Sequence, residues 1–183
     1  GFNAVMNAER FYETVRSEAF LSCLNAFDAH VGDTYHIPAG VIHALGASTK
    51  VYEVSTASER TFRIYDYGRG RELHLEDAVN VLRFDEEGCG IDLKKEGGFE
   101  GYMLLRGEQF ELRLFTVHGN GVNVRTEGKP HVLTCVHGNV TLTSTSNAEC
   151  SITPMDTVLV PACVEHFKMT GDGAVLGANF IKI

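Results

Sequence analysis

The fold is decided by thirteen residues, which read Gly32-Asp33-Thr34-Tyr35-His36-Ile37-Pro38-Ala39-Gly40-Val41-Ile42-His43-Ala44. Pro38 fixes φ and Gly40 tolerates a positive φ, so the stretch predicts a strand, a tight turn and a second strand. The second strand carries His43, a residue type that can bind a metal when its ring points into a barrel. An ordinary core or turn histidine is the alternative interpretation.

The same stretch occurs a second time, at residues 155–167 and with a constant offset of 123 positions. Six positions are identical between the two copies, and the shared residues of the second copy are Asp156, Thr157, Pro161, Ala162, Val164 and His166. Such a repeat predicts a duplicated β-unit. The shared pattern resembles the second motif of the cupin barrel. That resemblance implies a mainly β chain with two cupin-type, jelly-roll-like β-barrel halves, the first incomplete, and a helical segment near the N-terminus.

The rest of the chain divides around the two copies. Apolar spacing predicts helices over residues 7–27 and 72–82, and alternation predicts strands within residues 49–67. Residues 85–101 are rich in glycine and acidic side chains, which predicts a linker or loop. The expected domains are therefore 1–84, the C-terminal part of a first barrel with its helical segment, and 102–183, a second, degenerate barrel.

Composition excludes several function classes. The chain has 183 residues and a net charge of −8 without a basic stripe, which is not typical of nucleic-acid binders. The sequence contains no run of 18 apolar residues, so no transmembrane helix is predicted. Glu9, Glu13 and Glu18 argue against a signal peptide in residues 1–20. The five cysteines are an odd number without CxxC spacing, which favours reduced thiols in a cytoplasmic protein.

Four segments together resemble one family, the class I mannose-6-phosphate isomerases in their short bacterial form. The segments are Gly32 to Ala44, Val51-Tyr52-Glu53-Val54, Phe62-Arg63-Ile64-Tyr65-Asp66-Tyr67 and Arg71-Glu72-Leu73-His74. The resemblance covers residues 28–82. It implies a metal-dependent aldose–ketose isomerase that interconverts mannose 6-phosphate and fructose 6-phosphate, with zinc as cofactor and a small sugar phosphate as partner. It implies no nucleic-acid or membrane partner, and the oligomeric state stays open.

The resemblance also assigns candidate site residues. His43 falls on a metal ligand of the family and Arg63 on its active-site arginine. Arg71 is expected to bind the phosphate, since a guanidinium can make two-pronged contacts with it; local pairing with nearby carboxylates is the alternative. Glu53 is expected to contact the substrate, with a surface position as the alternative. His166 lies in a barrel without a His-x-His and downstream Glu, so a second metal site is not expected.

Two departures from the family pattern qualify this interpretation. The family's Glu-hydrophobic-Gln-Gln is here Glu53-Val54-Ser55-Thr56. The family's Gln-x-His and ligand-Glu segment has no match before residue 28, so the chain resembles one that begins part-way through the first barrel. Zinc is therefore expected to be absent or weakly held in this chain alone. A non-catalytic cupin module that binds a sugar or a partner chain is the alternative function.

Overall fold

The structure is a computed structural model and describes residues 1–56, 58, 60–84 and 102–181. The chain forms two compact units, Gly1–Ile91 and Asp92–Ile183. The predicted linker over residues 85–101 lies outside the described residues, and the predicted domain bounds stay a prediction. No helix among the described residues is long and apolar enough to cross a bilayer.

The described residues of unit 1 form three short helices instead of two long ones. They are α1 (Ala8–Thr14), a 3₁₀ helix (Glu18–Cys23) and α2 (Leu75–Val79). Asn7 caps α1 as expected, because its side chain accepts a 2.9 Å hydrogen bond from the backbone N–H of Arg10. The continuous helix predicted over residues 7–27 is wrong. Ser17 is extended (φ −121°, ψ 161°) and its hydroxyl donates to the Thr14 carbonyl at 2.8 Å, which ends the first helix.

The apolar face predicted for this region forms the core of unit 1. Phe11, Val15 and Phe20 are fully buried, and the Phe11 and Phe20 rings meet edge to face at 5.7 Å. Phe27 follows the last helical residue, Cys23, and is 50% exposed. Burial of three such side chains stabilises unit 1 by about 1.5–3 kcal/mol each.

The strands predicted within residues 49–67 are not present. The described residues of this range carry no strand, and none of the described strands lies in unit 1. A strand requires a hydrogen-bonded neighbour, which alternation within one segment cannot supply. The predicted alternation is still visible locally, since the Tyr65 and Tyr67 rings pack edge to face at 5.1 Å. The helix predicted over residues 72–82 is shortened to α2.

Unit 2 confirms the mainly β prediction. The strands among its described residues are β1 (Tyr102–Arg106), β2 (Phe110–Val117), β3 (Val122–Arg125), β4 (His131–Ser144), β5 (Glu149–Ile152), β6 (Thr157–Val160) and β7 (His166–Phe180). All pairs are antiparallel, in the order β1-β2-β7-β4-β5, with β3 also beside β7 and β6 also beside β4. A turn in which the Gly121 N–H donates to the His118 carbonyl separates β2 from β3, but both strands pair with β7 instead of with each other.

The two long strands β4 and β7 form the centre of the sheet. β4 runs through His137-Gly138-Asn139 with a register shift between Cys135 and His137. Gly138 has φ +74°, and a Cβ there would collide with the carbonyl oxygen of Asp172 on β7. Side chains from six strands meet in one apolar cluster, so the sheet curves around its core. Closure into a barrel stays a prediction.

Candidate functional site

An aspartate closes the same turn in both copies of the repeat. The backbone N–H of Asp33 donates to the His30 carbonyl at 3.1 Å, and that of Asp156 donates to the Thr153 carbonyl at 2.9 Å. In return, the N–H of His30 donates to Asp33 Oδ2 at 2.8 Å, and that of Thr153 donates to Asp156 Oδ2 at 2.9 Å. These backbone hydrogen bonds are the main cause that lowers the pKa of both carboxyl groups.

The residue before each aspartate has the same kind of backbone conformation in both copies. Gly32 has φ +97° and Met155 has φ +80°, so both copies need a left-handed residue at this point. The second turn is shared as well, since the N–H of Val41 donates to Pro38 and that of Val164 to Pro161, each at 3.1 Å. Residues that are identical in the two copies therefore belong to turns with the same backbone hydrogen bonds. This explains why these residues are shared although the surrounding sequences differ.

His43 lies two residues after this second turn and is exposed. Its Nδ1 is 3.0 Å from the Val41 carbonyl oxygen, which can only accept, so Nδ1 carries the proton. This contact leaves the lone pair of Nε2 available to a metal. The described residues contain no group of three or more His, Cys, Asp or Glu side chains that could hold a metal ion. They therefore supply one candidate ligand and do not fit a complete zinc site.

Arg63 is tied to the start of α2. Its backbone N–H donates to His74 Nδ1 at 3.0 Å, and the His74 N–H donates back to the Arg63 carbonyl at 2.8 Å. The guanidinium Nη1 donates to the Glu72 carbonyl at 3.2 Å. His74 is the N-cap residue of α2, but its side chain makes no capping bond. It instead fixes the backbone of Arg63, a role without a local sequence signal.

Arg71 belongs to a loop organised by Asp66. The Arg71 N–H donates to Asp66 Oδ2 at 2.7 Å, and the Gly68 N–H donates to Asp66 Oδ1 at 3.0 Å. The hydrogen bond from Arg71 is the largest cause that lowers the pKa of Asp66, and the charge of Arg71 adds to it. The Arg71 side chain itself is exposed. Asp66 is one of the nearby carboxylates of the alternative interpretation of Arg71, and its Asp-x-Gly pattern is the signature of an Asx turn.

Hydrogen bonds connect some of the predicted site residues but not others. Arg63 contacts the Arg71-to-His74 segment through Glu72 and His74. Glu53 is exposed, and within the described part of the chain no hydrogen bond or ion pair joins Glu53 or His43 to Arg63. The roles of His43, Arg63, Arg71 and Glu53 in a reaction therefore stay predictions.

The fold of the chain is similar to that of several solved structures. It superposes on a protein from Archaeoglobus fulgidus, provisionally assigned as a mannosephosphate isomerase, with a TM-score of 0.68 and 20% identity. The match covers 98% of this chain and 56% of that chain. A mannose 6-phosphate isomerase bound with zinc and yttrium matches over 61% of this chain and 28% of its own, with a TM-score of 0.50 and 12% identity. These likenesses show the fold.

Sequence comparison confirms the resemblance to mannose-6-phosphate isomerases. The chain is 22% identical over 166 residues to the mannose-6-phosphate isomerase of Streptococcus mutans, covering 85% of the chain and 51% of that protein. It is 28% identical over 148 residues to YvyI of Bacillus subtilis, provisionally assigned to the same activity, covering 76% of the chain and 46% of that protein. The chain thus spans about half the length of these relatives. No protein-family model matches it.

Proposed function

We propose that this chain takes part in the isomerisation of mannose 6-phosphate to fructose 6-phosphate. The proposal is carried by the contact between Arg63 and His74. The motifs Phe62 to Tyr67 and Arg71 to His74 are the most specific points of resemblance, and this hydrogen bond holds them together in space. The similarity to curated isomerases over most of the chain supports the same activity.

The chemistry explains what Arg63 would contribute. Moving a hydrogen between C1 and C2 of a sugar passes through an enediolate, whose negative oxygen needs a fixed positive charge. Arg63 is half-buried and its Nη1 donates to the Glu72 carbonyl at 3.2 Å, so its guanidinium is held in place for such an oxygen or for the phosphate. Lysine carries the same charge but cannot make the planar two-pronged contact. The exposed Arg71 would hold the phosphate.

Zinc is the proposed cofactor, and His43 Nε2 is the atom proposed to bind it. A bound zinc would polarise the sugar oxygens as a Lewis acid. Catalytic zinc usually takes three protein ligands. Because the described residues offer one, we assign no catalytic step to the metal. Glu53 is proposed as a polar contact for the sugar.

The test replaces Arg63 by lysine. Arg63→Lys is expected to lower kcat/KM for mannose 6-phosphate by about 30- to 1000-fold, the cost of losing about 2–4 kcal/mol of transition-state stabilisation. The thermal midpoint should stay near that of the wild type, since both residues can donate to Glu72. The assay follows fructose 6-phosphate formation with added zinc, in this chain and in any longer polypeptide that carries it.

Arg69→Lys is the matched control. Arg69 is exposed and lies 5.8 Å from the centre of the Tyr67 ring, so its replacement should leave turnover within about threefold of the wild type. Equal activity of the wild type and Arg63→Lys would remove Arg63 from the site. An inactive wild type in every polypeptide tested would instead favour a non-catalytic module that binds a sugar or a partner chain.

A further inference from the structure

Arg63 and His74 are joined by two hydrogen bonds that resemble a hydrogen-bonded pair of antiparallel strands. The His74 N–H donates to the Arg63 carbonyl at 2.8 Å, and the Arg63 N–H donates to Nδ1 of the His74 ring at 3.0 Å. In a strand pair both acceptors are backbone carbonyls, whereas here the imidazole nitrogen replaces one of them. The backbone of Arg63 is therefore held by a side chain that can gain a proton.

The hydrogen bond from Arg63 fixes the tautomer of His74. A backbone N–H can only donate, so Nδ1 accepts and carries no proton. The single ring proton of neutral His74 is then on Nε2. Protonation would add an N–H at Nδ1 that faces the Arg63 N–H, so the hydrogen bond would become a contact between two donors. His74 can therefore hold Arg63 only while its ring is neutral.

The segment that carries His74 also holds the guanidinium of Arg63. Nη1 donates to the carbonyl of Glu72, two residues before His74, at 3.2 Å. Glu72 and His74 belong to one short segment that ends where α2 begins, so the two hydrogen bonds of His74 bring the Glu72 carbonyl within reach of Nη1. Loss of the bond to Nδ1 therefore also weakens the contact that holds the guanidinium.

The surroundings of His74 do not compensate for a second ring proton. The ring is half-buried and meets the Phe62 ring edge to face at 6.3 Å. Across from it lies Arg63, and the charged residues along its own segment and in α2 are Glu72, Glu76 and Asp77. All three acidic residues are exposed, and no carboxylate of the described residues forms an ion pair with the ring. Nothing described therefore replaces the hydrogen bond that protonation removes.

We propose that His74 is a positioning residue for Arg63 and that it acts only with a neutral ring, so that Arg63 is released as the pH falls. The consequence for turnover rests on the proposed isomerase function, whereas the hydrogen bond between the two residues does not. Histidine side chains gain a proton between about pH 5 and 8. Activity that needs a fixed Arg63 is therefore present above this range and lost below it.

The first test measures the hydrogen bond itself. NMR of the ¹⁵N-labelled chain follows the ring nitrogens of His74 and the amide of Arg63 from pH 8 to pH 5. At pH 8, Nδ1 should have the chemical shift of an unprotonated ring nitrogen. As the pH falls, the Arg63 amide signal should move with the same midpoint as the ring. A protonated Nδ1 at pH 8, or an Arg63 amide that does not follow the ring, overturns the proposal.

The second test uses His74→Phe, which keeps a ring against Phe62 but has no acceptor at any pH. This variant should lower kcat/KM for mannose 6-phosphate about tenfold at pH 8 and approach the wild type at pH 5. Both proteins keep His43 and use the same substrate, so protonation of either one cancels in the ratio of the two activities. A role of His74 in packing alone would give the same ratio at both pH values, and that result overturns the proposal.

His36→Phe is the matched control. His36 is exposed and makes no hydrogen bond among those of the described residues, so kcat/KM of this variant should follow that of the wild type at both pH values. A ratio that changes with pH in the same way as for His74→Phe would overturn the assignment to His74. An inactive wild type rejects the proposed function alone, since the NMR titration detects the bond between Arg63 and His74 without substrate.

Discussion

Asp156 holds its turn by accepting two hydrogen bonds from Thr153, one from the backbone N–H at 2.9 Å and one from the hydroxyl at 2.8 Å. Asp156→Asn replaces a charged acceptor by a neutral one and is expected to lower the thermal midpoint at pH 7. Asp172→Asn is the control, because the Asp172 carboxylate is 94% exposed and its one described contact is with His118 at 3.6 Å. Equal midpoints for Asp156→Asn and the wild type would contradict the assignment.

The pH dependence of this effect follows from the sign of the pKa shift. The folded-state pKa of Asp156 lies below its ordinary value of 3.8. Its stabilisation is therefore fully present above pH 3.8 and is lost as the pH falls through the lower, folded-state value. Thermal melts of the wild type and Asp156→Asn should differ near neutrality and converge below this pH. A constant difference down to pH 2 would contradict the linkage.

Contacts between residues a few positions apart could be predicted from the sequence. The turns at Asp33 and Pro38 bond residues three apart, so their pattern is visible in the sequence. The bond between Arg63 and His74 spans 11 positions, and nothing in either neighbourhood predicts it. The buried state of His131 depends on a ring contact with Phe167, on another strand. The sequence therefore indicated His43 and Arg63 as candidates but not the residues that position Arg63.

Among the elements, β4 and β7 approach each other closely enough to require glycine. Gly138→Ala is expected to destabilise unit 2 by about 2–4 kcal/mol, because it adds a collision with the Asp172 carbonyl to the cost of a positive φ. Urea unfolding followed by circular dichroism measures the change. Gly128→Ala is matched in φ, +72° against +74°, but its Cβ would meet nothing within 4 Å. It should cost about 1–2 kcal/mol, and equal costs would exclude the collision.

Element boundaries were less predictable than turns, for two physical reasons. Ser17 interrupts an otherwise regular apolar spacing, because its hydroxyl competes for a helix carbonyl. Residues 49–67 alternate as strands do, but ladder formation depends on residues far away in the chain. In unit 2 the neighbours are present, and β4 continues through a histidine, glycine and asparagine that locally favour a break. Tertiary hydrogen bonding overrides local preference there.

At the scale of the whole molecule, each unit has its own apolar core. Leu133→Ala should lower the stability of unit 2 by about 2–5 kcal/mol, and Phe11→Ala that of unit 1 by about 3–5 kcal/mol, since both side chains are fully buried. Five of the six tyrosines lie in residues 1–91 and the chain has no tryptophan, so tyrosine fluorescence reports mainly on unit 1. Far-ultraviolet dichroism at the β-sheet wavelength reports mainly on unit 2.

Each variant should therefore shift one signal more than the other in chemical denaturation. Leu133→Ala should move the dichroism transition, and Phe11→Ala the tyrosine transition. If both variants moved both transitions by the same amount, the two apolar clusters would not act as separate cores.

The residue before each aspartate has a positive φ in both copies of the repeat. The residue type that one copy has at this position therefore indicates which substitution should stabilise the other copy. Met155 is 86% exposed at φ +80°, where a side chain costs about 1–2 kcal/mol, while the first copy places Gly32 there. Met155→Gly should raise the free energy of unfolding by about 0.5–1 kcal/mol, after the flexibility of glycine in the unfolded chain is subtracted. The reverse exchange, Gly32→Met, should destabilise unit 1. If Met155→Gly lowered the denaturation midpoint and Gly32→Met raised it, the residue found in one copy would not predict stability in the other.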